Sequence, residues 1–149
     1  MLIWAMIAVF LVAGDQVIKL LVENNIGLYD TIEVVKGALQ IVYVQNRGAA
    51  FSVLENMTGL LALVSVLFCA WVVYYFVRRR PESKLLCTAL TLMFSGAAGN
   101  AVDRIVRGYV VDYIKLSFLS FPVFNLADVA ITAGAVLLVI YILFFDKKK

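Results

Sequence analysis

The chain has 149 residues, 64% of them hydrophobic, with a mean hydropathy of +0.97, and no water-soluble core of this size hides so much apolar surface. Thirteen Lys and Arg against ten Asp and Glu leave a net charge of +3, concentrated in short clusters beside apolar runs, which is a membrane topology signal and excludes a nucleic-acid partner. With no His, and with its two cysteines, Cys69 and Cys87, standing alone in separate apolar runs, the chain offers neither a zinc cluster nor a disulfide framework, and no cofactor is expected.

Four apolar runs, 2–22, 57–77, 85–104 and 124–145, are each close to the ~20 residues an α-helix needs to cross a bilayer. They predict a mainly α membrane protein, a four-transmembrane-helix bundle forming one integral membrane domain over 1–149. The first run is expected to be a retained transmembrane helix rather than a secretory signal: it lacks a basic leading segment, and Asp15, Gln16 and Lys19 interrupt its outer third. Asp15 and Lys19 are four residues apart, so they share a helix face and are expected to form an ion pair turned into the bundle.

From Asn24 to Asn56 the chain turns polar and β-branched. TIEVV and LQIVYVQ read as two strands turning at Lys36-Gly37-Ala38, a small β-hairpin on the outer face of the membrane. In the following Gln45-Asn46-Arg47-Gly48-Ala49-Ala50-Phe51, the small residues allow close backbone approach while Asn46 and Arg47 offer donors. The second apolar run ends WVVYYFVRRR, an aromatic and basic anchor. Pro81 then breaks the chain before Lys84.

Arg78, Arg79, Arg80 and Lys84 lie in one loop and Lys147, Lys148 and Lys149 at the end. The positive-inside rule makes both places cytoplasmic, and four crossings put the N-terminus there too. On the third run Gly96, Asn100 and Asp103/Arg104 follow one face to its outward end; on the fourth, Asn125, Asp128 and Thr132 lie at its outward beginning. The two helices therefore carry carboxylates to one depth near the extracytoplasmic surface.

Asp103 has cations at Arg104 and Arg107 to pair with, whereas Asp112 and Asp128 have almost only apolar neighbours. If 110–116 is extended, Lys115 points away from Asp112. Two such carboxylates held close cannot both ionise cheaply and are expected to share a proton, giving one acid and one base able to activate water against a peptide carbonyl. The same residues would also suit a proton-coupled transporter or channel subunit, and Lys19 leaves open a serine–lysine hydrolase. The segment 115–122, with Leu116, Phe118, Leu119 and Phe121, reads as an interfacial loop over the site.

Five motifs taken together, Asp15-Gln16-x-x-Lys19, Asn46-x-Gly48-Ala49-Ala50-Phe51, Gly99-Asn100-x-x-Asp103-Arg104, Val110-Val111-Asp112-Tyr113-Ile114 and Phe124-Asn125-x-Ala127-Asp128, resemble the bacterial lipoprotein signal peptidase, or signal peptidase II, family. The resemblance runs in order along essentially the whole chain. It implies a metal-independent aspartyl endopeptidase of the cytoplasmic membrane that removes signal peptides from prolipoproteins, cutting before a cysteine bearing a diacylglyceryl group. Asp112 and Asp128 match the family's catalytic pair. Asp15, Lys19, Asn46, Gly48, Asn100, Asp103, Arg104, Asn125 and Ala127 match its supporting and substrate-contacting positions. Prolipoproteins and membrane lipids are the implied partners, and globomycin the implied inhibitor. Ala97 departs from the family pattern, which often has a second Gly there.

Overall fold

The computed structural model describes residues 1–48 and 57–146. The chain runs α1 (Leu2–Asn25), β1 (Thr31–Val35), β2 (Leu39–Asn46), α2 (Thr58–Arg79), α3 (Lys84–Val106), β3 (Val110–Leu116) and α4 (Leu126–Phe144). Among the described residues these four helices are long and apolar enough to cross a membrane. The continuation of the loop motif through Ala49, Ala50 and Phe51, and the terminal Lys147, Lys148 and Lys149, fall outside the described residues.

The bundle is organised around α3. In its most apolar window 61% of residues are buried, against 22%, 11% and 11% for α1, α2 and α4. Its small residues explain this: Ala89, Gly96, Ala97, Gly99 and Ala101 let neighbours approach closely. A Cβ on Gly96 would collide with the Ala127 carbonyl of α4, and one on Gly134 of α4 would lie 2.7 Å from the Ala89 carbonyl of α3. The other helices turn large apolar side chains outward, Leu2, Phe10, Leu67 and Phe144 among them, as a lipid-facing surface requires.

Helix ends depart from the apolar runs for local reasons. Helix α1 continues three residues past Val22, because Glu23 is held by Arg107 rather than by water. Helix α3 starts at an N-cap, Ser83, whose hydroxyl accepts the Leu86 amide, two residues after Pro81. Helix α4 begins two residues after the run does: Asn125 is its N-cap, and Asp128 returns the bond in a capping box.

The strands form an antiparallel sheet in the order β1-β2-β3. The expected hairpin is there, turning through Gly37 at φ 70°, and β3 completes it. In the β2–β3 register Val44 opposes Asp112 and Asn46 opposes Val110, so Asn46 and Asp112 are diagonal neighbours on one face. On its other side β3 is bridged to the start of α4: Phe124 N donates to Ile114 O (3.1 Å), and Ile114 N to Phe124 O (2.7 Å). The Tyr113 hydroxyl also accepts the Leu126 amide at 3.2 Å. Sheet and fourth helix are thereby fastened together where Asp112 and Asp128 lie.

Candidate active site

Two strata of polar side chains meet at that junction. The lower stratum is charged and buried. Lys19 is 0% exposed, and its three ammonium hydrogens go to Asp15 Oδ2 (2.8 Å), Asp103 Oδ2 (2.8 Å) and Asn100 Oδ1 (3.0 Å). The Asp15–Lys19 pair expected from the four-residue spacing is therefore formed, with Asp103 as a second carboxylate. Lys19 is committed to three partners, and among the described residues no serine is one of them, which removes the basis of a serine–lysine site.

Asp103 also accepts Arg107 Nη1 at 2.7 Å, Gln16 Nε2 at 3.0 Å and the Val111 amide at 3.2 Å. Of the two arginines that the sequence offers it, Arg107 pairs with Asp103. Arg104 does not: adjacent to Asp103 on the helix, its side chain lines the cavity instead, with Nη2 3.4 Å from the Gly48 carbonyl and a buried Nε that has no partner among the described residues. Helical geometry accounts for this, since adjacent residues cannot share a face while residues four apart do.

The upper stratum is built on two asparagines. Because Lys19 donates to Asn100 Oδ1, the amide of Asn100 is oriented with Nδ2 toward Asp128, 2.8 Å from Oδ1. Asn125 is fixed in the same way: its Oδ1 accepts the Asp128 amide in the capping box (2.9 Å), so its Nδ2 is left to donate, to Asp112 Oδ1 at 2.6 Å and Asn100 Oδ1 at 3.3 Å. Asp128 Oδ2 accepts the Asn125 amide at 3.2 Å. Asp112 Oδ2 accepts Asn46 Nδ2 at 2.8 Å, and Asn46 is oriented in turn by the Gly48 amide on its Oδ1 at 2.9 Å. Each carboxylate thus faces donors that cannot flip, and Asn125 joins the two. Burial, reinforced by the charge of Asp128, pushes the Asp112 carboxyl up to about 7, against the opposing pull of Asn46, Asn125 and Lys19.

Above this layer opens a cavity of about 1280 Å³. Asp112, Asp128, Asn46, Gly48, Asn100 and Arg104 form its polar floor. Val129 and Ile131 of α4, with Phe121 and Pro122 of the segment after β3, form an apolar wall. Asn125 and the Asp15–Lys19–Asp103 group lie beneath, and Ala127 is the small residue on which α3 packs. Among the described residues, the two acids and the nine supporting positions matched in the sequence therefore converge.

Sequence reasoning missed Glu23 and the tyrosines around it. Glu23 pairs with Arg107 at 2.9 Å and accepts Tyr109 and Tyr43 hydroxyls at 3.1 and 3.3 Å, tying α1 to the sheet. The signal was present: Asp15, Lys19 and Glu23 are spaced by four, one stripe down α1. Gln16, which bridges Asp103, the Gly99 carbonyl and Arg107, carried only a motif signal.

Bridged carboxylates on the floor of a cavity in a four-helix membrane bundle, one carboxyl tuned to about 7, define a membrane-embedded hydrolase of the aspartic type. The sequence pattern of the signal peptidase (SPase) II family matches residues 7–144. The chain belongs to that family, and is an aspartic-type endopeptidase of the bacterial inner membrane. It is 39% identical over 130 residues to the lipoprotein signal peptidases of two Streptococcus thermophilus strains, CNRZ 1066 and ATCC BAA-250 / LMG 18311, covering 87% of this chain and 85% of each relative. Among solved structures it is similar to a bacterial membrane enzyme determined by the in meso method at 2.3 Å resolution, with a TM-score of 0.90, 32% identity, and coverage of 98% of this chain and 92% of that one. A second such structure, at 1.9 Å, matches with a TM-score of 0.86 and 33% identity over 97% and 94%.

Proposed function

We propose that Asp112 and Asp128 are the catalytic pair that removes the signal peptide from prolipoproteins, cutting before a cysteine that carries a diacylglyceryl group. The observation carrying this reading is the Asn125 bridge, which holds one carboxyl from β3 and one from α4 against the same cavity. Asp128, at the first turn of α4, acts as the base and takes a proton from the attacking water. Asp112 enters protonated and gives its proton to the scissile carbonyl oxygen. The water oxygen bonds to the carbonyl carbon and a tetrahedral diol forms. Its collapse breaks the C–N bond as Asp112 takes back a proton from one diol hydroxyl and the proton held by Asp128 passes to the leaving amine.

Arg104 supports the same reading. Its guanidinium lines the cavity with an Nε that is unpartnered among the described residues, a donor suited to a substrate backbone carbonyl on the polar floor. The apolar wall of Val129, Ile131 and Phe121 suits a lipidated, membrane-borne segment entering from the bilayer. Phe118, Leu119 and Phe121, each at least half exposed, suit an interfacial loop resting on the membrane above the site. On the same reading globomycin competes with the substrate for this cavity. The cation cluster Arg78–Arg80 and Lys84, at the junction of α2 and α3, lies at the opposite end of α3 from Asp103 and Arg104; by the positive-inside rule this supports acids near the extracytoplasmic face with both termini in the cytoplasm.

A gel-shift cleavage assay with a diacylglyceryl-modified preprolipoprotein tests the assignment. Asp112→Asn and Asp128→Asn are each expected to abolish cleavage in folded protein that still binds globomycin, and the double variant to be no worse than either. Asp103→Asn is expected to lower the folded yield, with activity falling in step, because Asp103 serves Lys19, Arg107, Gln16 and the Val111 amide. Substantial cleavage by folded Asp112→Asn beside an inert, folded Asp103→Asn would put Asp103 in the pair instead.

A further inference from the structure

The end of the bundle remote from the carboxylates has a cavity of its own. Helices α1 and α2 each pack on α3 and barely on one another. The gap is a slot of about 280 Å³ walled by Trp4, Ala8, Val72, Phe76, Thr91 and Phe94. At about 30 Å³ per methylene, the volume share of a water molecule, it takes roughly nine methylenes. A helix, at ~10–12 Å diameter, is too wide for it. An extended hydrocarbon chain fits.

What lies at the mouth specifies the head group. Arg80 caps the C-terminal end of α2, where Phe76 lines the slot, its amide bonded to the Phe76 carbonyl at 3.1 Å. Lys84 is two turns before Thr91 on the slot-lining stripe of α3. Arg78 lies over the Tyr74 ring at 6.0 Å. Among the described residues none of Arg78, Arg79, Arg80 and Lys84 enters an ion pair, whereas Lys19 and Arg107 at the carboxylate end are paired. We infer that this slot binds one anionic phospholipid, an acyl chain between α1 and α2 and the phosphate at Arg80 and Lys84. A zwitterionic lipid offers the same chain but cancels its phosphate charge, so the cations discriminate between the two by roughly fivefold per cation engaged.

The slot contains its own reporter. The chain has two tryptophans, Trp4 and Trp71, so Trp71→Phe leaves a single indole, in the slot wall. The full chain carrying this substitution is placed in neutral mixed micelles containing dibrominated phosphatidylglycerol or dibrominated phosphatidylcholine, whose bromines quench tryptophan on contact. The phosphatidylglycerol is expected to quench Trp4 at a several-fold lower mole fraction. Adding Arg80→Gln and Lys84→Gln, both at exposed positions, is expected to bring the two lipids together, and Ala8→Leu, which fills the slot, to weaken quenching by both. Equal quenching by the two lipids, or a preference that survives loss of both cations, would overturn the inference. So would relief of quenching by an added signal-peptide segment, which would assign the slot to substrate, or by concentrating the protein at fixed lipid ratio, which would assign it to a second copy. None of these readouts depends on cleavage, so the lipid site stands or falls apart from the catalytic pair.

Discussion

At the scale of single residues, the acid near pH 7 is Asp112, and the direction of its shift sets a pH dependence. Its carboxyl is raised to about 7, so the proton needed for the acid role is present below that value and lost above it. Cleavage by the parent enzyme is expected to fall about tenfold per unit on the alkaline side of pH 7, the apparent value belonging to the coupled pair. Asn46 donates to Asp112 at 2.8 Å and favours its charged form. Asn46→Ala therefore moves the alkaline limb upward, on the order of one unit. A rate–pH profile from pH 5 to 9 decides the matter, and a rate that climbs through pH 7 would exchange the roles of the two acids.

The buried lysine gives a second residue-scale expectation, one the spacing of Asp15 and Lys19 states wrongly if taken alone. From sequence, Asp15→Ala leaves Lys19 unpaired. In the folded protein Lys19 keeps Asp103 and Asn100, so the loss is modest. Lys19→Met instead removes the cation shared by two buried carboxylates and leaves Asp103 with Arg107 as its one cation among the described residues, and is expected to cost about 3–5 kcal/mol. Thermal unfolding midpoints in detergent should rank parent, Asp15→Ala and Lys19→Met in that order; equal losses would mean that Asp103 does not compensate.

At the scale of elements, the first turn of α4 has two tasks. Its capping box starts the helix, and the same two side chains orient one acid and bridge to the other. The position of that turn depends on Gly96 of α3, where a Cβ would run into the Ala127 carbonyl and come within 2.7 Å of Ile131 Cγ1. Gly96→Ala is expected to push α4 outward, destabilise the bundle by about 1–3 kcal/mol, and reduce cleavage beyond what loss of folded protein explains, because Asp128 is the next residue. Gly14→Ala, with open space around it, is the matched control and is expected to be neutral or to stabilise by about 0.5–1 kcal/mol. Cleavage per folded molecule, measured for both, distinguishes displacement of the turn from general destabilisation.

At the scale of the whole molecule, polarity along the bundle axis connects charge to function. A reporter active only in the cytoplasm is expected to work when inserted in the loop at Pro81 and to fail near Lys36, whose turn belongs to the sheet that carries Asp112. A cytoplasmic signal from the Lys36 insertion would place the acids on the wrong side for a secreted substrate.

Much of this was legible in the chain itself because the signals are local. Membrane crossing follows from runs of about twenty apolar residues, the Asp15–Lys19 pair from a four-residue spacing, and the hairpin from alternation around Gly37. Immediate neighbours show Asp112 and Asp128 without cations beside them in sequence, but the fold brings Arg104 into the same cavity and Lys19 beneath it. What required the tertiary structure is which distant groups meet. Asp103 takes its second cation from another helix, Arg104 turns into the cavity, Glu23 gathers Arg107 with two tyrosines, and β3 joins the hairpin and fastens to α4 at Phe124. Periodicity specifies the face a side chain occupies on its own element. The element it meets there is decided by how closely backbones can pack, and in this chain the small residues of α3 decide it.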